Sequence, residues 1–326
     1  MLLGLVCLAG LCVGQYRIDP GQCVSILLSS IVPGIERDWS RVSEEVVWYL
    51  RMPRILAAAL VGASLSMAGA CFQGVFQNPL VSPDLLGVSS GSCVGAALAI
   101  LLGLGAAGIQ GFAFAMGVAT VALTLLIPRL LKNDTNIMLV LSGIIVGGLM
   151  GSVMGFIKYV ADPESELATI TYWQMGSFAY ITPGDLLSIL PALAVGFAGL
   201  FVLAWQIDLM SLGEREARIL GVNVRPIRRL AILCATLLTA GSVCISGTIG
   251  WVGLVVPHFA RGFVGPNNRV LLPSSACLGA IFLVIVDTCA RTITTTELPI
   301  SVITGLIGAP FYVFLLYKQK TRMDAR

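Results

Sequence analysis

The side chains that could do chemistry in this sequence are few, and none is paired as a reaction would require. There is one histidine, His258, so the H-E-x-x-H pair that holds a catalytic zinc is missing. The four lysines, Lys132, Lys158, Lys318 and Lys320, each follow a residue other than glycine, which excludes the G-x-x-x-x-G-K-[ST] loop that cradles ATP phosphates. No G-x-S-x-G elbow comes with a histidine and aspartate partner. Nine cysteines, Cys7, Cys12, Cys23, Cys71, Cys93, Cys234, Cys244, Cys277 and Cys289, are scattered without a C-x-x-C. Most lie in apolar runs, where cysteine behaves as a small hydrophobe, so neither a disulfide framework nor a metal site is expected. Asp287 stands in an apolar stretch with Arg291 one helical turn later on the same face. An intramembrane charge is a functional candidate by default, but an i,i+4 pair also reads as a locally neutralised ion pair near a helix end. A proton-coupled carrier needs a chain of buried carboxylates or histidines, which disfavours gradient-driven transport. The residues describe a conduit rather than a catalyst.

The elements that carry these side chains are apolar almost throughout. Hydrophobic residues make up 57% of the 326-residue chain and charged residues only 11%, with a mean hydropathy of +0.92. Soluble domains carry about a quarter charged residues, so this chain cannot clothe a water-facing surface. Secreted, nucleic-acid-binding and cytosolic-enzyme readings fall on that count. Apolar stretches lie near residues 1–15, 55–77, 88–106, 110–131, 136–160, 186–205, 230–249, 251–264, 271–289 and 300–317. At about 20 residues per span they predict an all-α polytopic membrane protein with about ten transmembrane helices. Residues 1–326 form a single transmembrane domain, without repeats or a low-complexity tail. The stretch at 251–264 is too short to span upright and predicts a half-helix or a tilted one. The first stretch is short and lacks a basic flank, which argues against a signal peptide and for a first helix that has lost part of its start. If both termini are inside, thirteen of the 20 basic residues lie at inner ends. Seven (Arg17, Arg37, Arg41, Arg51, Arg54, Lys158 and Arg291) then lie at outer ends, where acidic residues also gather, as in 162–166. The positive-inside rule makes both termini cytoplasmic.

Three stretches carry further information. Gly143, Gly147, Gly151 and Gly155 recur every four residues along one helix face. They read either as a close-packing seam or as the smooth wall of a translocation path, and Gly87, Gly91 and Gly95 repeat the pattern. The block 62–87 is rich in small residues and contains Gln73 and then Asn78, Pro79, Pro83 and Gly87. Two prolines four apart end one helix, and the glycines that follow start the next. Irregular backbone at membrane depth is tolerated only where protein or a cavity covers it. Residues 208–229 form the largest predicted cytoplasmic insert. Gly221 suits a left-handed helix end and Pro226 the first turn of a following helix, which predicts two short helices with a corner between them. As a passive loop the insert would only hold topology through its arginines; the defined breaks favour a compact knob shaped for a groove on a cytoplasmic partner.

The order and spacing of these pieces closely resemble the FecCD-type permeases, the membrane subunits of bacterial ABC importers for iron–siderophore complexes, haem and vitamin B12. The resemblance runs along nearly the whole chain. It takes in Arg51-Met52-Pro53-Arg54, the 62–87 block with Asn78-Pro79-Leu80, and Leu212-Gly213-Glu214 through Ala217-Arg218-Ile219-Leu220-Gly221. It continues through Gly247 to Pro257-His258 with Arg261, Asp287 to Arg291, Glu297-Leu298-Pro299-Ile300 through Gly305, and Gly308-Ala309-Pro310. It implies a homodimer in the bacterial inner membrane, with two cytoplasmic ATPase subunits below, a substrate-binding protein above, and ATP and Mg held only by the ATPases. Leu212, Gly213, Glu214, Arg215, Ala217, Arg218, Leu220 and Gly221 match the segment that couples to the ATPases. Arg51, Arg54 and Arg291 match outward arginines that pair with acidic residues of the binding protein, a task suited to guanidinium forks. Anchoring at the membrane interface is the plainer role for Arg51 and Arg54. Asn78, Pro79, Pro83, Gly87, Pro257, Asp287, Pro299 and Pro310 are expected at helix breaks or in structural roles, and His258 in packing. The implied function is inward carriage of a ferric siderophore. Vitamin B12, haem and molybdate remain open as cargo, and a stand-alone gradient-driven carrier is the reading from another class.

Overall fold

The computed structural model describes residues 1–30, 32, 37–133 and 135–324. In chain order its helices are α1 (Leu2–Cys12), α2 (Pro20–Ser29), α3 (Arg41–Glu45), α4 (Met52–Val75), α5 (Val88–Leu101), α6 (Ala106–Leu130) and α7 (Asn136–Val160). They continue with α8 (Glu166–Met175), α9 (Pro183–Ser211), α10 (Glu214–Ile219), α11 (Val224–Ser246), α12 (Val252–Val264), α13 (Asn268–Ala290) and α14 (Ile300–Asp324). Among the described residues there is no strand. Six helical stretches are long and apolar enough to cross a membrane, and α1, α5, α12 and the first part of α14 are shorter apolar helices. Each apolar stretch read from the sequence therefore falls on its own helix. The side chains of Lys318, Lys320 and Arg322, and Arg326, all counted among the inner cations, lie outside the described residues.

The bundle is built around α4, which packs against α13, α11, α12 and α9. Small residues permit this. Gly62 lies so close to Gly279 of α13 that a Cβ on either would strike the other's backbone, and a Cβ on Gly69 would strike the backbone of Gly253 of α12. Apolar attraction between helices is weak in lipid, so close backbone approach supplies much of the association. α5 and α6 use the device again: Gly91 admits Thr120, and Gly95 the Phe112 carbonyl.

Two interruptions shape the interior. After α4, Gln77 takes a positive φ of 53°, and Asn78 Oδ1 accepts from Leu80 N at 2.9 Å. Pro83 then opens a 3-10 turn, Pro83–Leu86, and Gly87 at φ 82° turns the chain into α5. This is the break that Asn78, Pro79, Pro83 and Gly87 predict. The second interruption lies between α11 and α12, where Gly247 and Trp251 have φ of 68° and 71°. The end of α8 and the residues after it close over it: Ser177 N donates to Ser246 O at 2.9 Å and Thr248 Oγ1 donates to Gln174 O. The half-helix expected near 251–264 is α12, 13 residues long.

Three expectations change. Pro257 lies inside α12 and Pro310 inside α14; the break belongs to Gly247 and Trp251 upstream, and proline is accommodated in a membrane helix where neighbours satisfy the freed carbonyl. Pro299 does mark a boundary, since it immediately precedes α14 and its carbonyl accepts from Val302 N at 3.2 Å. The insert 208–229 forms one short helix, not two. α10 ends at Leu220 with Gly221 at φ 85°, but Pro226 falls in the first turn of the 23-residue α11, because the apolar run beyond it continues without interruption.

Candidate functional site

At one end of α4 a π turn, Val46–Arg51, leads into Met52 and Pro53 and brings Arg51 and Arg54 towards the end of α13. Arg54 is the centre of a buried charge cluster. Its Nε donates to Asp287 Oδ1 at 2.8 Å and Oδ2 at 3.1 Å, and its Nη1 to Glu297 Oε1 at 2.6 Å. Arg291 stands on the other side of Asp287, Nε to Oδ2 at 3.6 Å, and donates through Nη2 to the Gly10 carbonyl. Arg51 donates to the carbonyls of Leu11 at 2.6 Å, Cys12 at 3.1 Å, and Tyr16. Two guanidiniums thus cap the carbonyl end of α1, where the helix dipole is negative. Three guanidiniums and two carboxylates gather here, and Asp287 is 0% exposed.

This arrangement corrects the picture of an open fork of arginines. Arg51, Arg54 and Arg291 are only 5%, 8% and 7% exposed and are spent on partners within the chain. Burying a charge is tolerable only when it is paired and hydrogen-bonded, which is why they turn inward. Asp287 is neutralised as expected, but its nearest partner is Arg54, 233 positions away, rather than Arg291. Glu297, which sequence reasoning did not single out as a charge partner, is the group that reaches solvent, with its side chain 39% exposed.

At the opposite end of α4 lies α10. Glu214 is paired with Arg228 of α11, whose side chain is 4% exposed, and more loosely with Arg218 at 3.4 Å. Ala217 is fully buried beneath the helix, while Leu212, Ile219 and Leu220 are exposed. Arg215 also faces out. Gly213, at φ 134°, lets the chain leave α9 at a sharp angle that few other residues adopt. The base is braced: Gln77 Nε2 donates to Met210 O at 2.9 Å, and Asn268 N and Nδ2 donate to Asp208 Oδ1 at 2.9 and 3.1 Å. Arg261 donates to Gln73 Oε1 at 3.0 Å, joining α12 to the end of α4. His258 packs edge-on against Phe311.

The glycine face of α7 divides. A Cβ at Gly143 would strike the Leu85 carbonyl, whereas Gly147, Gly151 and Gly155 have open space before them. Where the two interruptions meet there is a cavity of about 280 Å³ bordered by Ser82, Asp84, Gly250 and Trp251. Trp251 is wedged against Gly308 of α14, so a strained residue at the break touches the last helix directly.

Apolar helices broken at two points, with a buried charge cluster at one end and a braced short helix at the other, make this a polytopic helical membrane protein. Comparison with known proteins agrees in detail. The profile of the FecCD transport family matches residues 2–318. The molybdate import system permease protein MolB of Haemophilus influenzae is 39% identical over 320 residues, covering 98% of this chain and 94% of the relative. An iron chelatin transport system permease protein of Helicobacter pylori is 40% identical, covering 84% of this chain and 83% of its own. A solved metal-chelate type ABC transporter in an inward-facing conformation superposes with a TM-score of 0.86 at 38% identity, covering 97% and 96% of the two chains. The chain belongs to the FecCD transport family and is an ABC importer permease subunit.

Proposed function

We propose that this subunit carries a ferric siderophore inward as one half of a homodimer in the bacterial inner membrane. Two cytoplasmic ATPase subunits supply the energy, holding ATP and Mg, and an extracytoplasmic binding protein delivers the cargo. The observation that carries the cargo reading is the likeness, over 97% of this chain, to a metal-chelate type transporter. The iron chelatin relative adds to it. Molybdate is the second reading, favoured by the Haemophilus relative that this chain matches over 98% of its length.

In this proposal α10 is the lever. The exposed apolar Leu212, Ile219 and Leu220 fit a groove on an ATPase, and the Glu214–Arg228 pair passes movement to α11. The open glycines Gly147, Gly151 and Gly155 line the path, while Gly143 serves packing. Docking of the binding protein engages the Arg51, Arg54 and Arg291 cluster, with a partner carboxylate exchanging for the partly exposed Glu297 on Arg54. Both termini lie in the cytoplasm, so the arginine cluster faces outside.

Uptake assays in cells expressing the subunit with its ATPase and binding protein test the cargo, using radiolabelled ferric siderophores, haem, cobalamin and molybdate. Accumulation of a ferric siderophore alone supports the proposal. Accumulation of molybdate alone replaces it with the second reading.

A further inference from the structure

Asp84 takes no part in anything assigned so far. It is the second residue of the 3-10 turn Pro83–Leu86, and two contacts with α7 fix the depth of that turn. A Cβ on Gly143, the eighth residue of α7, would strike the Leu85 carbonyl, and Gly87 abuts the backbone of Gly147, the twelfth. At 1.5 Å per residue the turn stands roughly 10–17 Å from the start of α7, well within a hydrocarbon layer about 30 Å thick. Ionisable groups at such depth either pair with one another or face a water-filled path. Asp287 takes the first course, held by Arg54. Asp84 does not: among the described residues it makes no ion pair, and its Oδ1 accepts from the neutral Ser89 hydroxyl. It is exposed instead, on the border of the cavity of about 280 Å³ that Leu65, Ser82, Gly250 and Trp251 also line. Among the described residues no arginine or lysine borders that cavity. The turn joins the cavity to the glycine face of α7, since Gly87 stands against Gly147.

We propose that Asp84 is a charge-selecting residue on the translocation path, which admits neutral or cationic chelates and disfavours oxyanions. The inference rests on the transport reading above and deepens it by naming the charge class of the cargo. A carboxylate at the edge of a cavity with apolar walls attracts a cation and repels an anion, and low-dielectric walls strengthen both effects. Charged side chains set the sign of the permeant in channels in the same way. A ferric ion held by three singly charged chelating groups is neutral and passes Asp84 without repulsion. A molybdate dianion has to cross its field with no basic side chain on the cavity wall to offset it. The cavity therefore favours a ferric chelate over molybdate, and among ferric chelates it favours the neutral and cationic ones.

The test places a reporter thiol, Ser82→Cys, on the wall of the same cavity in the purified full chain. Cationic and anionic methanethiosulfonate reagents of similar size modify it, and each rate is taken in excess of that of the parent chain, which has cysteines of its own. The ratio of cationic to anionic rate should fall about three- to tenfold in Ser82→Cys with Asp84→Asn, and hold with Asp84→Glu. Asp84→Ser, a second neutral variant, should give the same fall where Asp84→Asn does not fold. A merely structural role of Asp84 changes both rates together and leaves their ratio alone. An unchanged ratio overturns the proposal, and so does a Ser82→Cys thiol that neither reagent reaches. Uptake assays then separate this failure from that of the cargo reading. Ferric siderophore uptake with an unchanged ratio sinks the charge selection alone. Molybdate as sole cargo, with a ratio that falls, sinks the cargo reading and the exclusion of oxyanions with it. Preference for an anionic ferric tris-catecholate over a neutral tris-hydroxamate overturns the charge class and leaves the ferric siderophore reading standing.

Discussion

Replacing Asp287 by asparagine removes the anion from the centre of the arginine cluster while keeping its shape. Asp287 is 0% exposed and receives Arg54 at 2.8 and 3.1 Å, with Arg291 at 3.6 Å. In the variant, Arg54 keeps one formal counter-charge, Glu297, which is 39% exposed and therefore well screened. Arg291 keeps only carbonyl and hydroxyl acceptors. Leaving a buried cation without its partner costs about 3–5 kcal/mol. That is roughly a hundredfold to several thousandfold in a folding equilibrium. The double variant Asp287→Asn with Arg54→Met removes the stranded charge as well and should recover at least half the loss, because replacing a buried pair by apolar groups of similar volume is often neutral. Glu297→Gln, at an exposed partner, should cost about 1 kcal/mol or less. Unfolding of a membrane protein is commonly irreversible, so the observable is the inactivation half-life of purified protein in detergent at fixed temperature. An Asp287→Asn protein as long-lived as the parent refutes the reasoning. So does a double variant worse than the single one, since both results mean that the cluster is not held by charge pairing.

Four further substitutions test the packing and the lever. Gly69→Ala puts a methyl against the Gly253 backbone and should destabilise the bundle by about 1–3 kcal/mol, measured as a shorter inactivation half-life. Gly151→Ala, with open space before it, should gain about 0.5–1 kcal/mol instead, and equal effects at the two positions would contradict the division between packing and open glycines. Glu214→Gln frees α10 from Arg228, whose side chain is 4% exposed. The proposal expects it to lower transport per ATP hydrolysed at least severalfold in the protein that reaches the membrane, and unchanged coupling removes α10 as lever. Trp251→Ala keeps the Cβ, and with it the strain of the positive φ of 71°, and empties the contact with Gly308; at 36% exposure the truncation should shorten the half-life by the equivalent of about 0.5–3 kcal/mol.

The apolar segments were legible because the period of hydrophobicity is local, and each of them lies on its own helix. The break at Pro79 and Pro83 was legible for the same reason, since proline chemistry acts on its immediate neighbours. Gly221 was read correctly as the left-handed residue that ends α10. Partners distant in sequence were not legible. Asp287 was assigned to Arg291 because i,i+4 geometry is all that a helix reveals of itself, whereas Arg54 reaches it only through the crossing of α4 and α13. That crossing depends on Gly62 meeting Gly279, which no single-sequence pattern records. The four glycines of α7 share one period and have two fates, because the Leu85 carbonyl happens to stand where a Cβ of Gly143 would go, while a Cβ on Gly147, Gly151 or Gly155 would meet open space within the chain. The inward turn of the three arginines was missed because outer position was taken to mean exposure. Their position near the ends of α4 and α13 was right, while the carbonyls of α1 and two carboxylates decide where they point.

The central claim is that this chain is a conduit driven by ATP hydrolysed elsewhere. Liposomes holding the subunit with its partner ATPase and binding protein test it most directly, with ATP hydrolysis and uptake recorded together. The account predicts that one loaded binding protein stimulates hydrolysis, and that uptake stops without ATP and persists without a proton gradient. Uptake by the subunit alone, driven by a proton gradient and indifferent to ATP, would contradict it.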